Sequence, residues 1–254
     1  MNAVQYKDFY DRVGSIIGWD FSKLHVISEG EQWDFCEEVA KRCTKSDIVL
    51  DIGTGGGEKL LTLADAALLL VGIDCSASMI RAAEANLLRA GRANVRFLQM
   101  EAAQLQFPDG FFQVAMCRQS EFDAKEAARV LADGGVFLTQ QVSGDDDKRN
   151  LVEAFAEGRD IGNRGKGLQE TYRKQLAEAG FADIQSYEYD ADEYYASYED
   201  LVFLLKHTPI VPDFGSRDRD FDILERFIQE HRTDKGIRTN AKRFMLIAHK
   251  PSKA

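Results

Sequence analysis

The residues most able to do chemistry in this chain are two aspartates flanking a cluster of glycines. Residues 47–79 read DIVLDIGTGGGEKLLTLADAALLLVGIDCSASM. An apolar run (Ile48, Val49, Leu50) leads through Asp51 into Gly53, Thr54, Gly55, Gly56 and Gly57. A helical segment follows, then a second apolar run ending at Asp74. The order predicts strand, glycine turn, helix and strand. A glycine turn at the carboxyl end of a parallel strand lets a ligand lie against bare main chain, and the next helix offers free N–H groups to an anion. An acid about twenty residues past the turn stands where a ribose diol is gripped. A nucleoside-containing cofactor is the expectation, and a turn needing glycine only for its dihedrals is the bland alternative.

The glycine spacing narrows the choice. A dinucleotide turn needs G-x-G-x-x-G, and Glu58 stands where its last glycine belongs. No Gly-Lys-Ser/Thr follows, which excludes a P-loop. The G-x-G-x-G at Gly53, Gly55 and Gly57, preceded by Asp51 and followed by VGID, resembles the first motifs of the class I S-adenosylmethionine-dependent methyltransferases.

The resemblance continues downstream. Glu101 and Ala102 match the family's acid-alanine pair, Leu105-Gln106-Phe107 its turn, Phe112-Gln113-Val114 its fourth strand, and ARVLADGGVFL its glycine-pair passage. Two positions depart: Gln113 replaces an acid often found near the reaction centre, and Gln106 replaces the turn proline. The resemblance implies an α/β, Rossmann-like methyltransferase fold, with a seven-stranded, mostly parallel sheet, an antiparallel last strand and helices on both faces. It implies S-adenosylmethionine as cofactor, S-adenosylhomocysteine as product, and methyl transfer to a small acceptor. The cofactor-binding candidates are Asp51, Gly53, Thr54, Gly55, Gly57, Asp74, Cys75, Met79, Glu101, Ala102, Cys117 and Arg118. A Glu101 carboxylate can accept from the adenine amine, or simply face solvent. Arg118 lies past the end of a central strand, where open α/β sheets place ligands. It can pair with a carboxylate of the cofactor or of the substrate, or be an ordinary surface arginine.

The elements that must position these groups follow in order. Residues 1–46 read as a helical cap with apolar stripes through Tyr6, Phe9, Tyr10, Val13 and Ile17 and through Trp33, Cys36, Ala40 and Cys43. Residues 47–190 form the cofactor-binding core, 191–240 a helical insertion on the substrate side, and 241–254 the last strand, together one domain. Residues 143–167 read as a short helix and a glycine-rich connector. Substrate-side candidates are Tyr10, Gln119, Tyr194, Tyr195, Tyr198, Phe203, His207 and Phe214; for most, covering a sheet edge is the competing role. His207, the side-chain type suited to proton exchange near neutral pH, is the candidate general base, against a plain helix-end cap.

Bulk properties bound the partners. The 254 residues carry 44% hydrophobic and 29% charged side chains, ordinary for a soluble globular protein. No apolar run is long enough to span a bilayer, and the first residues lack a signal-peptide core, so cytoplasmic is the default expectation. The net charge of −10 disfavours nucleic acid. Cys36, Cys43, Cys75 and Cys117 are scattered, which predicts reduced thiols and no metal site. The alternatives to a methyltransferase of small molecules are a cofactor-binding regulator without turnover, an RNA methyltransferase, and a nicotinamide-dependent oxidoreductase. The acceptor and the oligomeric state are not readable from the sequence.

Overall fold

The structure is a computed structural model that describes residues 24–157 and 167–252. One eight-stranded sheet runs through it in the order β1-β7-β8-β6-β5-β2-β3-β4. The strands are β1 (Val26–Glu29), β2 (Ile48–Ile52), β3 (Leu69–Asp74), β4 (Val95–Gln99), β5 (Phe112–Arg118), β6 (Leu131–Val142), β7 (Ala182–Tyr195) and β8 (Ile237–His249). Strands β2 to β6 pair in parallel, and β8 is antiparallel to both β6 and β7. The predicted fold, with its reversed last strand, is therefore present.

One strand is additional. Residues 26–29 fall in the segment read as helical, yet they pair antiparallel with the end of β7, Val26 opposite Tyr195. All four are exposed, so no helical stripe was there to read. The helical reading of the same segment holds further on, at α1 (Phe35–Ala40), where the Asp34 side chain accepts from the Glu37 N–H. Tyr6 and Tyr10 lie outside the described residues.

The remaining helices are α2 (Glu58–Thr62), α3 (Ala77–Ala90), α4 (Ala124–Val130), α5 (Arg149–Phe155), α6 (Leu168–Glu178), α7 (Tyr198–His207) and α8 (Arg219–His231). Local chemistry sets their ends. Ser76 caps α3 by accepting from the Met79 N–H, and Gly91 ends it in the left-handed region. Ser197 and Asp200 form a reciprocal capping box at α7. Asp133 and the glycine pair Gly134 and Gly135 lie inside β6. The register shift between Phe112 and Val114 absorbs them, and Gly135 O accepts from Lys250 N.

Both faces of the central strands are buried, as a parallel sheet requires. One face packs Leu50, Ile52, Ala115, Cys117 and Phe137 against α4 and α6. The other packs Val49, Leu70, Met116, Leu138 and Met245 against α1, α2 and α3. A third cluster joins Tyr195 and Ile237 to the apolar faces of α5, α7 and α8. Among the described residues no helix is long and apolar enough to cross a membrane.

Candidate functional site

The glycine turn closes β2 onto β3. Ile73 O accepts from Gly53 N at 2.9 Å and from Thr54 N at 2.8 Å, and Thr54 O accepts from Gly57 N. Gly53, Gly55 and Gly57 all have positive φ, 75°, 56° and 76°. A Cβ on Gly53 would lie 2.1 Å from Ser120 Oγ, and one on Gly57 2.3 Å from the Phe97 ring. Glycine is thus required here by conformation and by space at once. Asn86 braces the turn, its Nδ2 donating to Gly56 O at 2.7 Å and to Glu58 Oε1 at 3.0 Å. Phe97 and Asn86 were not singled out in the sequence. Their only signals are strand alternation for the first and an ordinary helical position for the second.

Asp74 ends β3 beside this turn. One carboxylate oxygen accepts from Gly55 N at 3.0 Å and the other from Ser76 N at 2.9 Å. Two main-chain donors therefore orient the acid against the glycine that a ligand would approach. The Asp74 carbonyl accepts from Met100 N, which brings the exposed Glu101 and the half-buried Ala102 to the same edge. Arg129, from ARVLADGG, fixes the next turn by donating to Leu105 O at 2.7 Å and Phe107 O at 2.8 Å. Glu126 accepts from Leu105 N. The passage is structural scaffolding for the loop that carries Glu101.

Asp51 lies on the β2 face that also holds Met116, the residue beside it on β5. It is 4% exposed. Burial pushes its carboxyl up to about 7, and Asp74 adds to the rise; nearby Thr54 and Arg118 pull the other way. Thr54 Oγ1 is buried near Asp51, but no hydrogen bond of normal geometry satisfies it. A buried orphan hydroxyl next to a proton-holding acid, in a glycine cradle, suits a polar ligand end.

Not every candidate converges on this edge with its side chain. Cys117 Sγ points to the opposite face, 3.2 Å from Ser120 O, and burial raises its pKa well above the ordinary thiol. Only its main chain can meet a ligand. Met79 is 2% exposed and packs inward, while Cys75 is half-buried and accepts from Gln99 Nε2 through its carbonyl. Gln113 stands at the opposite end of the sheet, where its Oε1 accepts from Ile48 N at 2.8 Å. That placement corrects the expectation of a position near the reaction centre.

Gln119, directly after Arg118, holds a positive φ of 54°, secured by its N–H on Gln140 O. A non-glycine residue held so at a strand end is a frequent mark of a site.

The substrate-side candidates separate. Tyr194 and Tyr195 are neighbours on β7 and so face opposite sides of the sheet. Tyr194 lies under Lys235 Nζ, 5.4 Å from the ring centre. Tyr195 donates to Glu193 Oε2 at 2.6 Å in a buried network in which Glu193 also pairs with Lys148, itself 2% exposed. Tyr198 and Phe214 pack on the α5, α7 and α8 cluster, Phe214 edge-on to Phe155. Phe203 stacks on His207 at 4.4 Å, and His207 Nδ1 lies 2.7 Å from Phe203 O, the geometry of a helix-end cap.

Residues 49–135 match the model of the family described as methyltransferase domain. The chain is 33% identical over 120 residues to the uncharacterized methyltransferase YcgJ of Bacillus subtilis, a match covering 44% of this chain. The chain spans about half the length of that curated relative, 47%. The crystal structure of YcgJ superposes with a TM-score of 0.64 at 22% identity, covering 86% of this chain and 98% of that one. The [4+2]-cyclase SpnF superposes at 0.60 and 20% identity, over 98% and 95% of the two chains. A Haemonchus contortus phospholethanolamine N-methyltransferase 2, in complex with phosphomonomethylethanolamine and S-adenosylhomocysteine, superposes at 0.56 and 18%, over 99% and 59%. At these identities the superpositions speak for the fold.

Proposed function

We propose, from the match of residues 49–135 to the methyltransferase domain family, that this chain is a class I methyltransferase and that it transfers a methyl group from S-adenosylmethionine to a small-molecule acceptor. The observation that carries the proposal is the Asp74 carboxylate, aimed by Gly55 N and Ser76 N beside a turn where side chains are excluded. A ribose diol is the ligand group that such an acid at the end of the second strand suits. Glu101 is assigned to the adenine amine, and Gly53, Thr54, Gly55 and Gly57 to main-chain contact. Ala102, Cys75, Met79 and the Cys117 main chain form the surround. S-adenosylhomocysteine bound to the Haemonchus contortus protein of the same fold supports this choice of cofactor.

When bound, the cofactor supplies a sulfonium that already makes its methyl group electrophilic. The chain's work is then to align the acceptor, exclude water, and take a proton only if the acceptor must lose one. Asp51 and Thr54 offer buried polar atoms to the cofactor's polar end. The helices α7 and α8 close the acceptor side. The lack of a strong acid–base pair in this arrangement is compatible with such a displacement.

A second reading is binding of the cofactor without transfer, which the likeness to a protein named as a cyclase keeps open. Calorimetric titration with S-adenosylmethionine tests the site: Asp74→Ala and Gly55→Val should each weaken binding by at least about tenfold. Unchanged affinity in both removes the assignment. Labelled cofactor incubated with metabolite fractions then separates transfer from binding alone.

A further inference from the structure

The side chain that the cofactor site leaves unexplained is Arg118. It ends β5 in register with Gln140 of β6, on the sheet face that carries Asp51 and Met116. It is half-buried, and desolvation pulls its pKa down, yet no hydrogen bond or ion pair reaches it among the described residues. A guanidinium keeps its charge under such conditions, and a buried charge without a counter-ion is costly. The charged groups nearby are already engaged or unsuited. Arg243 is a second cation, paired with Asp147. Asp34 caps α1 through Glu37 N at 2.9 Å. Asp51 holds its proton up to about 7.

The register of Arg118 with Gln140 brings a second set of groups beside it. Beyond β6, Tyr189 of β7 stands opposite Arg243 of β8. The same place has an apolar wall: Trp33 packs on Tyr189 at 4.5 Å and on Tyr187 at 6.3 Å, and its Nε1 donates to Gln140 Oε1 at 2.7 Å. Two neighbouring guanidiniums, one of them unpaired, next to aromatic rings make a receptor for an anionic group on an apolar body.

We infer that the methyl acceptor is a small carboxylic acid and that Arg118 receives its carboxylate. The inference rests on the methyltransferase reading above. It assigns the cation at the end of β5 to the acceptor, with the cofactor's own carboxylate held elsewhere.

The test is calorimetry on protein saturated with S-adenosylhomocysteine, titrated with acetate, benzoate and phenylacetate, each against its neutral amide. At least one acid should bind about tenfold more tightly than its amide, a preference that Arg118→Met abolishes and Arg118→Lys keeps in part. No preference in the wild type, or a preference surviving in Arg118→Met, overturns the inference. So does a Met variant that weakens S-adenosylmethionine about tenfold while leaving 5′-methylthioadenosine unchanged, since the carboxylate would then be the cofactor's. Thermal unfolding guards against a purely structural role: removing an unpaired charge should leave the melting temperature of Arg118→Met unchanged or raised, whereas a structural arginine would lower it. A wild type that fails to bind S-adenosylhomocysteine removes the methyltransferase reading itself, and binding without acid preference removes only this inference.

Discussion

Around Gly53, Gly55 and Gly57 the surface offered to a ligand is main chain, with one acid held in place by two N–H groups. On the β7 and β8 side the polar groups are side chains, paired with one another in the interior: Lys148 with Glu193, Tyr195 with Glu193, Arg243 with Asp147. The first kind of site depends on the absence of side chains and so tolerates few residue types. The second depends on mutual satisfaction of particular partners and can be rebuilt in many ways. Under the proposed function the first region is the cofactor half and the second the acceptor half, one built for a fixed ligand and the other for a ligand that differs from protein to protein.

The comparison breaks most visibly at Gly53. Gly53→Val should abolish measurable S-adenosylmethionine binding, a loss of about 100-fold or more, because its φ of 75° and the Ser120 side chain both oppose a Cβ. Calorimetry reads this directly, and retained binding would mean that the turn does not carry the site. The paired interior of the other half should respond in stability. Glu193→Gln leaves the Lys148 ammonium without its counter-ion at 2% exposure and should cost roughly 3–5 kcal/mol in urea unfolding. The double variant Lys148→Met/Glu193→Gln should recover most of that. No recovery would show that the pair is not the unit.

The same difference explains what was legible. Gly53, Gly55, Gly57, Asp51 and Asp74 announce themselves because a backbone site restricts residue type at fixed spacing. Strands β2 to β6 were readable for a related reason, since buried strands are apolar runs, whereas the reversal of β8 was implied by the family resemblance. Strand β1 was not readable, because an exposed edge strand has no apolar face to display. Nor was the separation of Tyr194 from Tyr195, which needs the extent of β7, or the opposite-facing thiol of Cys117. Arg118 was visible as a residue at a strand end. Its want of a partner was not, because pairing is a property of distant segments meeting.

Asp51 sharpens the comparison, since it is a titrating side chain buried in the backbone-built half. Its carboxyl is raised from an ordinary aspartate value to about 7. Between those values the native state holds a proton that the unfolded chain has released. Stability from this group is therefore full at low pH, falls as pH rises toward 7, and is level above it. The loss is at most roughly 4 kcal/mol. Asp51→Asn should flatten that slope in urea unfolding followed from pH 4.5 to 8. A slope unchanged by the substitution would place the titration elsewhere. A cofactor bearing positive charge favours the anion, so wild-type affinity for S-adenosylmethionine should rise with pH through 7 while that of Asp51→Asn does not.

The smallest effect is expected at His207, and it decides whether the acceptor half contributes chemistry as well as shape. Its Nδ1 is committed to Phe203 O at 2.7 Å, one turn back on α7, and its ring rests on the Phe203 ring. Both contacts are what a histidine makes when it closes a helix. A general base needs a free nitrogen within reach of the acceptor's proton and a rate that follows its own titration. His207→Gln should accordingly change the transfer rate by less than about threefold and leave the pH profile in place; a general base contributes about 100-fold or more. A fall of that larger size, with loss of an ascending limb near neutral pH, would move the proton transfer onto α7. It would give the side-chain-built half a catalytic role.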